Sequence, residues 1–524
     1  MADTNQPQSK RWRNLAVALS LANLCLINSW FATLFDADEG YFNGERVSDP
    51  ALLALGSLLL ALTALFFLGA QWVRRSSSVW VRGGAFLGVM ALLLPTVEFV
   101  RGDLCQVTDR EALVFLKTPW VWAAALLALA VSVRWLGWVI RGVRFLLFLL
   151  FPLACFTLVR VALLLLHLQS LHQHPGRAAS LPPLSTNPPA QRVMWILFDE
   201  WDQRVSFDER PASVRLPEVD RLCRESLCAS NAYPPFGCTF GSLPALTTGL
   251  PVAGVEVTGH SELKLELEQT NGAVRWSEVP NIFSRVRELG CNTALVGWYH
   301  PYSRLLGKDL NYVEWHAMPS NERGLSASFL DSIAQQLLAT LPALQRRLLQ
   351  VHLYRHMLAQ SLEVVTDPQF NLALLHLPVP HKPCIYRPAQ DRLTPVGAAL
   401  PQGYLHNLVL MDRTLGRLRR AMEDAGTWNT SWLIVTTDHH WRESECLDGK
   451  RDLRIPFIVK PPGRGEFQAL LPEINTRVTH DLILALLRQE LADIPSVKAW
   501  LETHRLPRAR ALDNPPRHPS SLND

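Results

Sequence analysis

Residues 237–249 read Gly-Cys-Thr-Phe-Gly-Ser-Leu-Pro-Ala-Leu-Thr-Thr-Gly, and the rest of the chain is best read outward from them. Thr239 stands three residues before Ser242 and ten before Gly249. Short apolar runs recur on both sides of this stretch, at Val193–Phe198, Thr293–Val296, Phe370–Leu375, Trp432–Val435 and Ile455–Val459. Helical periods fall between them, at 217–227, 280–289, 325–365 and 403–425. This alternation predicts an α/β domain with a mostly parallel central sheet. Ligands of such sheets bind beyond the carboxyl ends of the strands. Asp199, His376 and Asp438 each fall at the predicted end of a separate strand, so they are expected to converge.

The first 170 residues differ in kind. A bilayer core needs about 20 apolar residues per helix, and five spans qualify, at about 14–34, 51–73, 83–100, 119–140 and 145–167. Trp72, Trp80, Trp120, Trp122 and Trp138 lie near span ends, where indole rings favour the membrane–water interface. Basic residues collect at alternate ends: Lys10, Arg11 and Arg13, then Arg74, Arg75 and Arg82, then Arg134, Arg141 and Arg144. The loop after the first span carries Asp36, Asp38, Glu39, Glu45 and Asp49 against a single Arg46. Positive ends inside give an N-in topology with everything after about residue 170 outside the cytoplasm. The first span is too long, and too poor in a small-residue cleavage site, to read as a signal peptide. Arg160 lies within the fifth span, where an ionisable residue is a functional candidate, a snorkelling one, or a partner for Glu98.

Domain boundaries follow. Residues 1–170 form a transmembrane domain of five helices, 171–190 a Pro-rich linker, 191–505 an extracytoplasmic catalytic domain, and 506–524 a disordered tail. The stretch 325–365 is broken by Pro342 and is either a basic surface facing lipid or a helix pair capping the domain. The net charge of +4 averages two unlike halves, and no Lys/Arg tract points to nucleic acid. The outer domain holds Cys223, Cys228, Cys238, Cys291, Cys384 and Cys446, with no CxxC pair to suggest a thiolate zinc site.

Five pieces of the outer domain repeat, in order, motifs of the alkaline phosphatase/sulfatase superfamily. Asp199 resembles its first metal-binding acid, and the 237–249 turn resembles its nucleophile turn with Thr239 at the nucleophile position and Cys238 one residue early. Gly290-Cys-Asn-Thr-Ala-Leu-Val-Gly-Trp-Tyr-His300 resembles the sulfatase Gly-Tyr-x-Thr…Gly-Lys-Trp-His segment. Asp438-His439 resembles the Asp-His-Gly metal motif, and Leu453-Arg-Ile-Pro-Phe-Ile-Val459 the strand after it. The resemblance covers roughly residues 191–490. Where sulfatases carry Pro and Arg after the nucleophile, this chain has Gly241 and Leu243; their Lys is Trp298, and the Gly after Asp-His is His440. These departures put formylglycine formation and sulfate clamping in doubt.

A finer resemblance is to membrane phosphoethanolamine transferases of the lipid A type and, in broad plan, to lipoteichoic acid synthases. Thr239-Phe-Gly-Ser242-Leu-Pro244 matches the transferases' Thr-x-x-Ser-x-Pro turn, and His376…His381-Lys-Pro383…Tyr386-Arg387-Pro388 is similar to their His…His-Gly-Pro…Tyr…Arg-Tyr-Pro run. The resemblance implies a divalent ion, Zn²⁺ or Mn²⁺ with Ca²⁺ or Mg²⁺ also open, held by Asp199, Thr239, Asp438 and His439. It implies Thr239 as nucleophile, assisted by His376 and His381, with His300 and His440 as substrate contacts. A phosphoethanolamine-like group would pass from a membrane phospholipid to Thr239 and then to an envelope glycan or lipid acceptor, at the outer face of the cell (inner) membrane. Two alternatives stand beside this: a membrane-tethered sulfatase-like or phosphodiester hydrolase, and a non-catalytic envelope-assembly module.

Overall fold

The computed structural model describes residues 6–35, 41–42, 49–105, 107, 109–172, 181–259, 261–268, 272–318 and 328–512. Asp36, Asp38, Glu39, Glu45, Arg46 and the tail from 513 onward lie outside them.

Six apolar residues in a row after Arg192 make Arg192–Phe198 a strand buried along its whole length. It is the centre of the main sheet and pairs in parallel with Ser431–Thr436 on one side and Leu372–Leu377 on the other. Thr293–Trp298 and then Tyr312–His316 continue the parallel series. Beyond Ser431–Thr436 the direction reverses: Ile455–Lys460 runs antiparallel to it, and Leu227–Tyr233 antiparallel to Ile455–Lys460. Strands covered on both faces need no polar alternation, which is why they read as unbroken apolar runs. The helices Pro342–Thr366 and Gln402–Asp424 pack together on this sheet, tied by Tyr354 Oη and Thr414 Oγ1 at 2.8 Å.

The N-terminal part is helical but is not divided into five equal spans. Among the described residues three helices are long and apolar enough to cross a membrane: Asp49–Arg75, Trp80–Gly102 and Leu136–Leu166. The expected span 119–140 is instead a shorter helix, Pro119–Arg134, that ends where Trp135 leaves helical geometry (φ −116°, ψ 31°). Residues 136–140 therefore join the following helical run, so the expected break between spans four and five moves from about 140–145 to 135. The expected first span is divided into Gln6–Cys25 and Ile27–Phe35. It sits inside the cluster, with Ser20, Asn23, Asn28 and Ser29 all buried. Glu98 pairs with Arg101, three residues on.

Pro342 does break the 325–365 stretch, into Phe329–Leu338 and Pro342–Thr366. The two halves have different tasks. The second covers the sheet, whereas the first docks on the N-terminal helices: Ser29 Oγ donates to the Gln336 carbonyl (2.9 Å), Gln336 Nε2 to the Ala51 carbonyl (2.8 Å) and Asn28 Nδ2 to the Ala339 carbonyl (3.2 Å). The described part of the linker lies against the outer domain, where Asn311 Nδ2 donates to the Pro183 carbonyl at 2.7 Å. At the other end, the packed chain runs past residue 505 to the buried Leu512, and Arg510 N donates to Glu268 at 3.0 Å. All nine cysteines are free thiols.

Candidate active site

Residues 237–249 contain a ten-residue helix, Thr239–Thr248, with Cys238 extended at its N-cap. Gly241 within the helix and Gly249 at its C-cap are dictated by space and by backbone. A Cβ on Gly241 would lie 2.5 Å from the ring of Phe236, so the position that holds Pro in sulfatases admits only hydrogen here. Gly249 ends the helix at φ +72°, the left-handed geometry of a C-terminal cap. Leu243, at the sulfatase Arg position, is fully buried in the core.

Thr239 therefore enters as the first residue of a rigid helix, at its positive end. Its Oγ1 donates to Asp438 Oδ2 at 2.7 Å and stands 3.4 Å from Asp199 Oδ2 and 3.2 Å from His439 Nε2. Asp199 lies just past the strand Arg192–Phe198, and Asp438 just past Ser431–Thr436. His376 sits one residue inside its strand, Leu372–Leu377, rather than beyond it, and its Nε2 is 3.6 Å from Asp199 and 3.8 Å from Asp438. His439 Nε2 lies 3.4 Å from Asp199 Oδ1 and 3.5 Å from Asp438 Oδ2. Burial would push the Asp199 carboxyl up, but His381, His376 and His439 together hold it well below the usual carboxylate range.

The donor set fits a cation. Ligand atoms of Asp199, His376 and Asp438 all lie within 4.8 Å of one another, and all three side chains are buried. His376 Nε2 and Asp199 Oδ1 have no hydrogen-bond partner among the described residues, an expensive arrangement unless something binds there. The imidazoles are oriented from behind. The His440 carbonyl, 2.9 Å from His439 Nδ1, can only accept, so Nδ1 carries the proton and Nε2 presents its lone pair to the carboxylates and Thr239. Tyr302 Oη meets His376 Nδ1 at 3.1 Å and leaves its Nε2 turned the same way. The residues make this a candidate divalent-cation site; O and N donors do not choose among Zn²⁺, Mn²⁺, Mg²⁺ and Ca²⁺.

A cavity opens beside these groups. Asp199, Thr239, His381 and Arg442 form its polar side, and Trp298, Tyr299 and Met318 its apolar side. His381 Nδ1 donates to the Lys382 carbonyl at 2.5 Å, so its Nε2 accepts from Arg442 Nη2 at 3.3 Å. Arg442 Nε is held by Glu200 Oε1 at 2.9 Å. Sequence reading missed Arg442: it lies four residues after Asp438 in no recognised motif, and only the fold shows that it reaches the cavity. Glu200 anchors that guanidinium. Glu200 (φ +64°) and Tyr299 (φ +78°) hold left-handed backbone that side chains usually avoid, a strain that clusters at functional sites.

The two histidines expected to touch substrate do not line the cavity. His300 lies behind the nucleophile, with Nε2 3.2 Å from the Thr239 carbonyl. His440 is buried, its Nε2 3.4 Å from Arg451 Nη2, and burial holds its pKa well below the usual value. Tyr386 donates to Asp391 at 2.6 Å, away from the cavity.

Cys238 lines the cavity, but burial pushes its thiol up to about 11, so it is no thiolate near neutral pH. Cys238→Ser is expected to keep turnover of a phosphodiester probe within about threefold of the parent, since no thiolate is lost. Loss of all turnover in that variant would move the nucleophile from Thr239 to Cys238.

Residues 191–485 match the Sulfatase family model. Solved structures similar to the chain include PsFucS1 sulfatase from Pseudoalteromonas sp., at 16% identity, covering 58% of this chain and 69% of that one with a TM-score of 0.39. The phosphonate monoester hydrolase SpPMH from Silicibacter pomeroyi is 14% identical, with 57% and 73% covered and a TM-score of 0.38. A protein in the alkaline phosphatase superfamily from Vibrio parahaemolyticus is 13% identical, with 59% and 68% covered and a TM-score of 0.38. Among curated proteins none matches the chain.

Proposed function

Because the chain belongs to the sulfatase family, whose model spans more than half of it, we propose that it is a membrane-bound, metal-dependent phosphotransferase acting through Thr239. In this reading it takes a phosphoethanolamine-like group from a membrane phospholipid and delivers it to an envelope glycan or lipid acceptor. The observation that carries the reading is the Thr239 hydroxyl itself, 2.7 Å from Asp438 and beside Asp199 and His439. Apolar residues at the cationic positions of a sulfate clamp support it: Leu243, buried, stands at the Arg position, and Trp298, whose ring lies edge-on to His381 at 5.3 Å, at the Lys position.

Asp199, Asp438, His376 and His439 would hold the cation. When bound, it would lower the pKa of the threonine hydroxyl and neutralise charge on the phosphoryl oxygens. The chain's own groups account for the rest. The Thr239 proton is directed at Asp438 Oδ2, which leaves oxygen lone pairs for the phosphorus. Thr239 Oγ1 forms the new P–O bond as the bond to the lipid oxygen breaks, and the proton given up by Thr239 leaves on that oxygen as the alcohol; the acceptor hydroxyl then forms its own P–O bond as the Thr239 bond breaks, and its proton returns to Thr239 Oγ1. Arg442, fixed by Glu200 and His381, supplies a cationic donor to the phosphoryl oxygens. Trp298, Tyr299 and Met318 keep the opposite wall dry.

A five-span, N-in topology would set this cavity at the outer face of the membrane, where donor and enzyme share one surface. The docking of Phe329–Leu338 on the N-terminal helices, with its exposed Phe329 and Leu330, supports a cavity-bearing domain close to the membrane surface.

Intact-mass analysis after incubation with phosphatidylethanolamine and Zn²⁺ or Mn²⁺ tests the proposal. A phosphoethanolamine adduct on Thr239 is expected. Hydrolysis of phosphodiester or aryl sulfate to water without transfer would favour the tethered hydrolase, and absence of both adduct and turnover would favour the assembly module.

A further inference from the structure

Tyr41 and Phe42 lie in sequence between the helices Ile27–Phe35 and Asp49–Arg75, in the membrane-associated part of the chain. In space they belong to the other part. Tyr41 is 1% exposed and sits in the same hydrophobic cluster as the central sheet of the outer domain. Its carbonyl accepts from Arg304 Nη2 at 2.5 Å, and its hydroxyl meets His300 Nδ1 at 2.9 Å. Phe42 packs edge-on against Tyr299 at 5.2 Å and tilted against Phe240 at 5.7 Å. Phe240 in turn stacks on the His300 ring, with 12° between planes.

Donor and acceptor roles in this chain of contacts are fixed. His300 Nε2 faces the Thr239 carbonyl at 3.2 Å, and a carbonyl only accepts, so Nε2 carries the ring proton. Nδ1 is then a bare lone pair and must accept, so the Tyr41 hydroxyl is the donor. Burial raises the pKa of Tyr41 well above its usual value and keeps that hydroxyl protonated. One ordered run of hydrogen bonds therefore leads from Tyr41 through the His300 ring to the backbone of Thr239. Alongside it, Phe42 closes on Phe240, the residue after the nucleophile, and on Tyr299, which lines the cavity.

We propose that Tyr41 and Phe42 are positioning residues supplied by the membrane-side loop: Tyr41, donating to Nδ1, anchors the His300 ring whose Nε2 holds the Thr239 backbone, and Phe42 wedges the nucleophile turn against the cavity wall. The active site is then completed by the membrane-associated part of the chain, so its geometry depends on the seating of the outer domain on those helices. The inference rests on the reading of Thr239 as the nucleophile.

The test uses the full-length protein in lipid nanodiscs, with Tyr41→Phe, which keeps the ring and removes the hydroxyl, and Phe42→Leu as a second variant. Hydrogen–deuterium exchange is followed in peptides spanning 237–248, and kcat and KM are measured for bis(p-nitrophenyl) phosphate. Tyr41→Phe should raise exchange in that stretch and lower kcat, each by about tenfold, the scale of one buried hydrogen bond, while KM and metal content stay at the parent values. Phe42→Leu should do the same to a smaller extent. Unchanged exchange at 237–248, or an unchanged kcat, overturns the inference. If the parent protein turns over no phosphodiester, the proposed reaction falls, yet the exchange comparison still decides whether Tyr41 orders the nucleophile turn.

Discussion

Thr239→Ala should reduce turnover of a phosphodiester probe by roughly three orders of magnitude or more, and should abolish any covalent adduct, because it removes the only atom that would bond to phosphorus. The fold should survive. Thr239 is buried, but the change deletes one hydroxyl and one methyl and leaves Asp438 short of a single donor, a cost of about 1–3 kcal/mol. Metal content should also survive, since Asp199, His376, Asp438 and His439 keep every other ligand atom. Thr239→Ser keeps the hydroxyl and should restore a measurable part of the activity. The decisive pair of measurements is kcat and bound metal on the same preparation. Full turnover in Thr239→Ala would sink the nucleophile assignment, while loss of metal together with activity would make Thr239 a ligand first.

The parts of this molecule that were legible in its sequence are those in which local pattern and global fold agree. A strand buried on both faces must be apolar throughout, so Val193–Phe198 declared itself, and the acid after it, Asp199, was placed to within a residue. The same holds for Trp432–Val435 and Asp438. Thr239 was legible because a helix start and a left-handed glycine cap ten residues on leave a recognisable spacing. Arg442 was not, because nothing local distinguishes one arginine from another until Glu200 and His381 are seen on either side of it. Tyr41 was missed for a stronger reason: its partner, His300, is 259 residues away, and no periodicity carries information over that range. His300 itself was picked out by motif, yet a motif gives residue type and position but not the direction a ring faces. The helical part failed where a hydropathy pattern has no resolution. Arg134 is the sole charge in the stretch 119–140, too little to mark a boundary in a hydropathy pattern, and the backbone turn at Trp135 is what separates the two helices.

Asp438→Asn should separate the metal site from the fold that carries it. The Asp438 and Asp199 carboxylates both lie within 3.4 Å of the same Thr239 oxygen, and both are buried. Two buried like charges repel strongly at low dielectric, and without a cation the imidazoles and the Thr239 and Thr437 hydroxyls are what oppose that repulsion among the described residues. The imidazoles already favour the charged form of Asp199, and a bound cation would offset what repulsion between the two carboxylates remains. An asparagine of nearly the same shape removes one charge, so the metal-free variant should melt no lower than the metal-free parent. The parent should gain stability from metal by mass action, about 2.7 kcal/mol at a hundred times the dissociation constant. In the variant that gain should largely vanish, because a neutral amide is a far weaker ligand for a hard cation than a carboxylate. Turnover should fall with metal occupancy and return in part at high metal concentration. Melting curves of parent and variant with and without Zn²⁺ or Mn²⁺, alongside bound metal by elemental analysis, give the answer without any substrate. A metal-free variant that melts far below the metal-free parent would make Asp438 a structural residue, and a variant that keeps the parent's metal affinity would place the cation elsewhere.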